Sequence, residues 1–472
     1  MTVPSRLDRA EWRPIHTRIL LALGIGWALD SFEVQIIGSV LGPLAKDFGL
    51  LDAAGSIRPG AVSTIWVVWF AGLMVGATIF GWLADRYGRK RLFVATLVMY
   101  AVATVLSAFA PTFAVFLIFR FITALGVGGE YAAVTTAIAE FMPSRRRGSM
   151  IALTMNFWSL GGIAAGLVGL VFLNGFVVRQ IAVGSLEVSA WRMCLLAGAV
   201  AALYALYARR AIPESARWLA AQGRLAEANA VVTSISGIED AEPKDLVAPA
   251  AASFRAQLSE LWTSWRGRLY YGMTLEFAGS AAYYGLFTFI GAYVLTDSQV
   301  QVSAGTVPLF YLIGNVGALI GGLAVAGVID RIGRGNTVLI AYGSATISVL
   351  LLALAALAKS PGLTLAAFTL CVFSATCSWI SAYTTFAELF PTHLRATGVG
   401  VCVAGGRLGG MVGVVGLSYV TAGLGLVAAF MLLAVFFGIG AAAAAIWKSR
   451  GVEARGLTLE EISPPVPVRV PV

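Results

Sequence analysis

The sequence predicts an all-α polytopic membrane protein with twelve transmembrane helices in two pseudo-symmetric six-helix bundles. Three observations predict this fold class: the composition, the spacing of the apolar runs and an internal repeat. Of the 472 residues, 58% are hydrophobic and 12% are charged, and the mean hydropathy is +0.83. Soluble domains carry about 25% charged residues. A chain this poor in charge is therefore expected to lie in a lipid bilayer.

Apolar runs long enough to cross a membrane occur twelve times, with six on each side of a polar interval. A helix needs about 20 mostly apolar residues to cross the hydrocarbon core. The runs lie near 18–41, 61–84, 92–110, 112–140, 149–174, 190–208, 269–295, 304–329, 336–358, 363–389, 396–421 and 424–447. The predicted domains are an N-terminal bundle (1–208), a cytoplasmic linker with short amphipathic helices (209–268), a C-terminal bundle (269–448) and a cytoplasmic tail (449–472).

The basic residues predict the orientation in the membrane. With the N-terminus inside, the inner segments hold 26 of the 33 Lys and Arg residues and the outer segments hold 5. Cytoplasmic loops carry such an excess of Lys and Arg, so both termini are expected on the cytoplasmic side. Because the charges cluster in short loops between apolar runs, the net charge of +9 does not indicate a nucleic-acid partner.

Two loop motifs occur once in each half, and they support a duplicated fold. Residues 81–91 read GWLADRYGRKR and residues 327–334 read GVIDRIGR, which places Asp85 and Asp330 at an offset of 245 residues. Glu140 and Glu388 each begin an acidic motif that ends in proline, at an offset of 248 residues. Related halves of this kind place a binding site between them near the middle of the membrane.

Six ionisable residues fall inside the predicted runs, and each is a functional candidate. A charge at this depth costs at least about 2.5 kcal/mol on insertion scales. The six are Asp30, Glu33, Arg120, Glu130, Glu276 and Arg407. Four carboxylates thus face two guanidiniums, so two carboxylates are expected to lack a cationic partner and to bind protons. Asp30 is the first candidate for proton coupling, followed by Glu33 and Glu130, with pairing of Glu130 to Arg120 as the alternative.

Arg407 lies in the glycine-rich segment 404–410 (AGGRLGG), which leaves space around its guanidinium. The planar guanidinium suits a carboxylate held by two hydrogen bonds, so Arg407 predicts an anionic substrate. A structural pair with Glu276 is the alternative, and Glu276 itself is a candidate that cytoplasmic water could reach. Arg120 is a further candidate for binding substrate. Aromatic side chains that could stack on a substrate ring, or only pack, are Trp158, Tyr283, Tyr284, Trp379 and Tyr383.

Small residues and cysteines carry simpler expectations. Gly161, Gly162 and Gly166 in the fifth run are expected to let neighbouring helices approach closely. The four cysteines all lie in apolar runs without metal-ligand spacing, so they are expected to be small core residues without disulfides. The sequence contains no nucleotide-binding fingerprint. Neither a metal nor any other cofactor is expected.

The loop 81–91 matches in full the G-x-L-A-D-R-x-G-R-K signature of the major facilitator superfamily, which the chain resembles from about residue 20 to 460. Residues 120–130 (RFITALGVGGE) resemble the family motif of an arginine followed by glycines. Residues 213–219 (PESARWL) resemble the signature of sugar porters. Residues 30–33 (DSFE) resemble the acidic motif of metabolite:proton symporters, a branch that includes aromatic-acid, nicotinate and organic-ion carriers.

The resemblance also implies a gate at the cytoplasmic side. It implies that Asp85 faces the N-terminus of the eleventh helix, where the helix dipole favours an anion, and that Arg89 braces this contact. Asp330 and Arg334 are expected to mirror that pair in the second half. Further members of the expected ion-pair network are Glu140, Arg147, Glu214, Arg217, Glu388 and Arg395. The alternative is that these residues only fix topology or form a solvated face.

The resemblance implies a secondary transporter rather than an enzyme, working by alternating access. The expected activity is symport of protons with a small organic anion, such as an aromatic acid or a monocarboxylate, by a monomer in the plasma membrane or bacterial inner membrane. A sugar or polyol porter is one alternative, which the motif at 213–219 favours. A membrane receptor without transport activity on the same scaffold is another. The direction of transport stays open.

Overall fold

Helices make up nearly all of the structure, a computed structural model that describes residues 3–51, 53, 58–173, 180–183, 186–200, 204, 207, 211–238, 253–294 and 307–463. The first half contains α1 (Val3–Asp8), α2 (Pro14–Asp47), α3 (Pro59–Tyr87), α4 (Arg89–Ala108), α5 (Phe113–Phe141), α6 (Arg147–Leu173), β1 (Gln180–Val183), β2 (Leu186–Ser189) and α7 (Ala190–Leu196). The linker contains α8 (Ala216–Ala221), α9 (Leu225–Ser236) and α10 (Phe254–Thr263). The second half contains α11 (Arg266–Phe289), α12 (Val307–Ile332), α13 (Arg334–Leu357), α14 (Pro361–Glu388), α15 (Arg395–Arg450) and α16 (Leu459–Ile462).

All twelve predicted runs are helical where the structure describes them. Ten described spans are long and apolar enough to cross a membrane, and α15 supplies two of them, because Gly425 breaks it at φ 84°. The seventh run lies on α11, which continues as a π-helix over Ile290–Val294. This helix is not among the ten spans and carries the charged residues Arg266, Arg268 and Glu276. The sixth run begins with α7, and much of the remainder lies outside the described residues.

One feature departs from the all-α prediction. Between α6 and α7, β1 pairs antiparallel with β2, and Gln180 lies opposite Ser189. The two strands have four residues each, and runs this short carry too weak a pattern to predict a hairpin between two apolar helices.

Glycine ends the helix before each signature loop, at equivalent positions of the two halves. Gly88 separates α3 from α4 at φ 103°, and Gly333 separates α12 from α13 at φ 90°. Positive φ is strained for any residue with a Cβ, so glycine allows the chain to reverse there without strain. The two reversals bring Asp85 and Asp330, each three residues earlier, to the same end of the bundle. This end is referred to below as the Asp85 end.

The halves pack through two equivalent helix pairs. In the pair α3–α15, Gly81 and Gly400 let the backbones approach, since a methyl group on Gly81 would lie 2.7 Å from the Ala396 carbonyl oxygen. In the pair α6–α12, Asn156 Nδ2 donates to the Leu319 carbonyl oxygen at 3.0 Å, and its side chain packs on Gly322. Small residues at such contacts replace the hydrophobic driving force that a bilayer does not supply.

Large apolar side chains cover the outside of the bundle. On α13, Ile340, Ile347 and Leu354 repeat at seven-residue spacing and are 61%, 61% and 64% exposed. A soluble protein would bury such a stripe, whereas lipid tails solvate it. The arrangement fits helices that face a bilayer.

Two glycines of α6 test the close helix packing. Gly161 lies where a methyl group would overlap the Ala28 carbonyl oxygen of α2, whereas a methyl group on Gly166 would meet no atom within 4 Å. The expectation that Gly166 sits at a close contact is therefore wrong, because its face of the helix is open. We predict that Gly161→Ala lowers stability by about 1–3 kcal/mol through overpacking.

Gly166→Ala is the matched control, and its gain in helix propensity should leave stability unchanged or slightly raised. Thermal unfolding of the purified proteins in detergent measures both. Equal midpoints for the two variants would contradict the packing of α2 on α6.

Candidate functional site

Arg407 is buried in α15, twelve residues or about 18 Å from the start of that helix. Its Nη1 donates to the Tyr284 hydroxyl at 3.0 Å and its Nη2 to the Tyr383 hydroxyl at 2.9 Å. The guanidinium carbon lies 4.4 Å from the centre of the Tyr131 ring, and Nε has no hydrogen-bond partner. Arg407 forms no ion pair with a carboxylate of any described residue. Its hydrogen bonds thus go to tyrosine hydroxyls, while Glu276 interacts with it electrostatically without forming an ion pair.

Glu276 does not form the ion pair with Arg407 that was the structural alternative. Its Oε2 accepts a hydrogen bond from Ser280 Oγ at 3.0 Å, while Oε1 meets no donor among the described residues. Glu276 is 1% exposed, so the side chain is closed off from water in this conformation.

Aromatic rings from both halves meet beside Arg407. The first half contributes Trp27, Tyr131 and Trp158, and the second half contributes Tyr283, Trp379 and Tyr383. These six residues are referred to as the aromatic cluster. Ring centres lie 5.3 Å apart for Trp158 and Trp379 and 4.6 Å apart for Trp27 and Tyr131. The cluster therefore closes the space between the halves at this level.

Sequence reasoning missed two members of this cluster, Trp27 and Tyr131. Both had a local signal, because Trp27 precedes Asp30 by one helical turn and Tyr131 directly follows Glu130. The remaining predicted aromatic residue, Tyr284, contacts Arg407 and packs edge-on against Phe70 at 5.0 Å.

The acidic candidates lie in the first half, and their pairing differs from the prediction. Arg120 pairs with Glu33 at 3.1 Å and lies 4.3 Å from the centre of the Trp69 ring, so it does not pair with Glu130. The alternative pairing was wrong because the side chain of Arg120 reaches α2 instead of running along its own helix. Arg120 is also absent from the contacts around Arg407 within the described structure. Glu33 thereby has its counter-charge.

Asp30 and Glu130 face each other without a cation between them. Tyr100 and Glu130 border Asp30, yet neither carboxylate oxygen of Asp30 or Glu130 meets a donor at hydrogen-bonding geometry within the described chain. Since Arg407 takes no carboxylate, Asp30, Glu130 and Glu276 all lack an ion pair among the described residues. The sequence count predicted two such carboxylates, because it assumed that Arg407 would be paired.

At the Asp85 end, each half contains the same three-residue ion cluster. Arg89 lies 2.9 Å from Asp85 and 3.1 Å from Glu140. Arg334 lies 2.7 Å from Asp330 and 2.8 Å from Glu388. All six side chains are buried or nearly so.

Both aspartates also reach across to the start of a helix in the other half. Asp85 accepts hydrogen bonds from the backbone nitrogens of Ala396 and Thr397 at 3.3 and 2.8 Å, at the start of α15. Asp330 accepts from the Gly148 and Ser149 nitrogens at 3.2 and 2.7 Å, at the start of α6. These nitrogens have no partner within their own helix, and the helix dipole favours an anion there. The Asp85 end is thus closed.

The symmetry between the halves breaks at one pair of arginines. Arg395 of the second half pairs with Glu140 of the first at 2.9 Å. Arg147, at the matching position of the first half, instead pairs with Asp8 of α1. Asp8 also accepts from Arg217 at 2.8 Å. Asp8 of the short N-terminal helix is therefore the partner of Arg147, in place of an acid from the other half.

Several partners at this end were not predicted from the sequence. Arg217 also pairs with Glu460 of α16, and the predicted Glu214 accepts from the Lys90 backbone nitrogen at 3.2 Å. Burial alone would raise the pKa of the Glu460 carboxyl. The charge of Arg217 outweighs this effect and lowers the pKa. Glu260, in the linker helix α10, forms a hydrogen bond with His393, and this bond lowers the pKa of the Glu260 carboxyl. Asp8 and Glu460 lie in polar termini, where the sequence gives no periodic signal for a partner.

The model of the sugar (and other) transporter family matches residues 20–465. The chain belongs to that family. It is a transporter of the major facilitator superfamily and an integral, multi-pass membrane protein rather than an enzyme. The twelve-helix prediction agrees with this assignment.

Similar proteins cover almost the whole transporter. The niacin transporter NiaP of Acinetobacter baylyi is 29% identical over 98% of this chain and 100% of its own. The probable 4-methylmuconolactone transporter of Cupriavidus pinatubonensis is 28% identical over 90% of this chain and 89% of its own. Among solved structures, the proton:xylose symporter XylE bound to 6-bromo-6-deoxy-D-glucose has a TM-score of 0.76 and 20% identity, covering 95% of this chain and 98% of that chain.

The buried ion clusters predict a large difference between two glutamates. Glu140 lies between Arg89 and Arg395 and also accepts from Ser215 Oγ. Glu140→Gln leaves two guanidiniums under-compensated inside the protein, so we predict a loss of stability of about 3–5 kcal/mol. Glu227→Gln breaks an exposed pair with Arg224 and should not change the midpoint measurably. Thermal unfolding in detergent compares the two variants, and a small effect of Glu140→Gln would contradict the described cluster.

Proposed function

We propose that this transporter carries a small organic anion, an aromatic acid or a monocarboxylate, together with protons by alternating access. The observation that carries the proposal is the buried guanidinium of Arg407, which has no carboxylate partner among the described residues. A buried cation is unfavourable unless it is paired and hydrogen-bonded. The carboxylate of a substrate would form that ion pair, and two parallel hydrogen bonds from a guanidinium fit it well.

The aromatic cluster supports a substrate with a planar ring. Trp158 and Trp379 lie on opposite halves of the transporter, so a ring held between them would contact both bundles. A small separation of the halves would let a planar acid replace the ring-to-ring contacts. One relative is named a niacin transporter and another a putative niacin/nicotinamide transporter. Niacin is an aromatic carboxylic acid, and nicotinamide is its neutral amide.

Proton coupling is assigned to Asp30 and Glu130, with Glu33 held by Arg120. Two facing carboxyl groups without a cation cannot both be ionised at low cost, so a proton between them is favoured. The sequence also links this pair to the substrate site, because Glu130 faces Asp30 while the next residue, Tyr131, contacts Arg407. Protonation that shifts α5 would therefore also change the contacts of Arg407.

The ion clusters at the Asp85 end would act as the gate. Opening that end requires Asp85 to leave the start of α15, Asp330 to leave the start of α6, and Arg395 to leave Glu140. Arg89 and Arg334 hold the acids of their own halves, so each half would move as a unit. The distribution of basic residues assigns this end to the cytoplasm, with both termini inside. We assign the active unit to a monomer in the bacterial inner membrane.

A sugar or polyol porter is the second candidate. The motif at residues 213–219 favours it, and the family description includes sugar transport. A neutral sugar would leave Arg407 without an ion pair, so the organic anion is preferred.

Arg407 is the residue that separates these two candidates. We predict that Arg407→Gln lowers saturable uptake of labelled nicotinate or benzoate about 10- to 100-fold, because a hydrogen bond to a charged group contributes about 1.5–3 kcal/mol. Arg407→Lys should recover only part of the loss, since a lysine cannot form the paired hydrogen bonds. Lys359→Gln removes an exposed positive charge and should leave uptake unchanged. Saturable hexose uptake without acid uptake would contradict the proposal.

Asp30→Asn tests the coupling. In reconstituted vesicles with an imposed pH gradient, the Asp30→Asn variant should no longer accumulate the acid. It should still exchange labelled for unlabelled acid across the membrane. Asp47→Asn is the control, because Asp47 is the last residue of α2 and accepts hydrogen bonds from Trp191 and Ser189 there. Accumulation at the wild-type level in Asp30→Asn would exclude Asp30 as the coupling residue.

A further inference from the structure

A groove of about 510 Å³ lies at the outer surface of the bundle, where α2 begins. Its lining combines cations, interfacial aromatic rings and apolar groups: Trp12, Arg13, Pro14, Thr17, Arg18, Leu21 and Tyr207. The first apolar span starts at Pro14, so the groove lies at the boundary between the bilayer and water. None of its residues belongs to the gate or to the aromatic cluster.

Among the described residues, the two arginines of the groove have no counter-charge. Arg13 and Arg18 are exposed, and neither forms an ion pair with a described residue, although Arg13 packs beside Gly237. Glu11 is the nearby acid in sequence, and it too is exposed and without an ion pair in the described structure. By contrast, the buried Arg147 and Arg217 at the same end are each paired with a carboxylate.

The rest of the groove continues into the bilayer as an apolar stripe. Thr17, Leu21 and Ile25 follow at four-residue spacing on one face of α2, and the two apolar side chains are 44% and 37% exposed. Trp12 is held in place by a hydrogen bond of 3.1 Å from its Nε1 to Thr17 Oγ1. Tyr207 also lines the groove and is 51% exposed. Tryptophan and tyrosine favour the level of lipid headgroups.

We propose that this groove binds an anionic phospholipid. The phosphate would lie on Arg13 and Arg18, the glycerol region between Trp12 and Tyr207, and one acyl chain along Leu21. Basic pockets on the cytoplasmic side of transmembrane helices bind acidic headgroups in this way. Along the chain, Arg13 and Arg18 precede the apolar residues Leu21 and Ile25, as the charged headgroup precedes the acyl chains in a phospholipid.

A second surface groove shows what the charges add. It lies between α13 and α14, has a volume of about 480 Å³, and is lined only by alanine and leucine. That surface offers an acyl chain no headgroup contact, so it should bind neutral and anionic lipids equally. The groove at Arg13 and Arg18 should discriminate between them.

Native mass spectrometry of the purified full chain tests the proposal. The protein is titrated with dioleoyl phosphatidylglycerol and, separately, with dioleoyl phosphatidylcholine, which has the same chains and no net charge. A basic residue near an anionic lipid contributes about 1 kcal/mol, or about fivefold in affinity. We expect the double variant Arg13→Gln/Arg18→Gln to bind phosphatidylglycerol about thirtyfold more weakly and phosphatidylcholine as before.

The matched control is Lys448→Gln/Arg450→Gln, which removes two exposed charges at the end of α15, away from Arg13 and Arg18 in the sequence. It should retain the wild-type affinity for phosphatidylglycerol. Equal loss in the control would show diffuse charge attraction and overturn the proposal, as would equal binding of the two lipids by the wild type. Full displacement by glycerol 3-phosphate alone would also overturn it, because the ligand would then be a free phosphate. Retained thermal stability of both variants in phosphatidylcholine shows that they are folded.

Discussion

A charge inside the membrane needs a counter-charge, and this constraint determines the arrangement of the whole bundle. Glu33 and Arg120 satisfy it for each other. At the Asp85 end it is satisfied by Arg89 and Arg334, each of which holds two acids of its own half. Near the middle of the bundle this requirement is not met by ion pairs, because Arg407, Asp30, Glu130 and Glu276 all lack one in the described structure. In the proposed function, an anionic cargo would pair with Arg407 and protons would neutralise the unpaired carboxyls.

The same constraint explains why the duplicated halves are not identical. Asp85 and Asp330 cross to equivalent helix starts, which keeps the Asp85 end closed symmetrically. The arginines at the equivalent helix starts differ in their partners. Arg395 forms an ion pair with Glu140 of the other half, whereas Arg147 forms one with Asp8. The N-terminal helix thereby replaces one bridge between the halves with a contact to the linker. Opening would break unequal sets of contacts on the two sides of the pseudo-symmetry axis.

Sequence reasoning predicted what depends on local pattern. The apolar runs predicted the long helices, and the offset between Asp85 and Asp330 predicted the two equivalent loops. Sequence reasoning could not determine which neighbouring helix each face of a helix contacts. For that reason the alternative pairing of Arg120 with Glu130 was wrong, because Arg120 pairs with Glu33, and Gly166 was wrongly expected at a close contact. Partners that come together over long separations, such as Asp8 with Arg217, leave no local pattern at all.

The central claim is that an unpaired Arg407 selects a carboxylate. Equilibrium binding of nicotinate and nicotinamide to the purified transporter tests it most directly, because the two ligands share a ring and differ in the charge of one substituent. Quenching of tryptophan fluorescence can report binding, since Trp27, Trp158 and Trp379 lie in the aromatic cluster. The account predicts that nicotinate binds at least about tenfold more tightly, as a charge-assisted hydrogen bond implies. Equal affinity for the acid and the amide would contradict it.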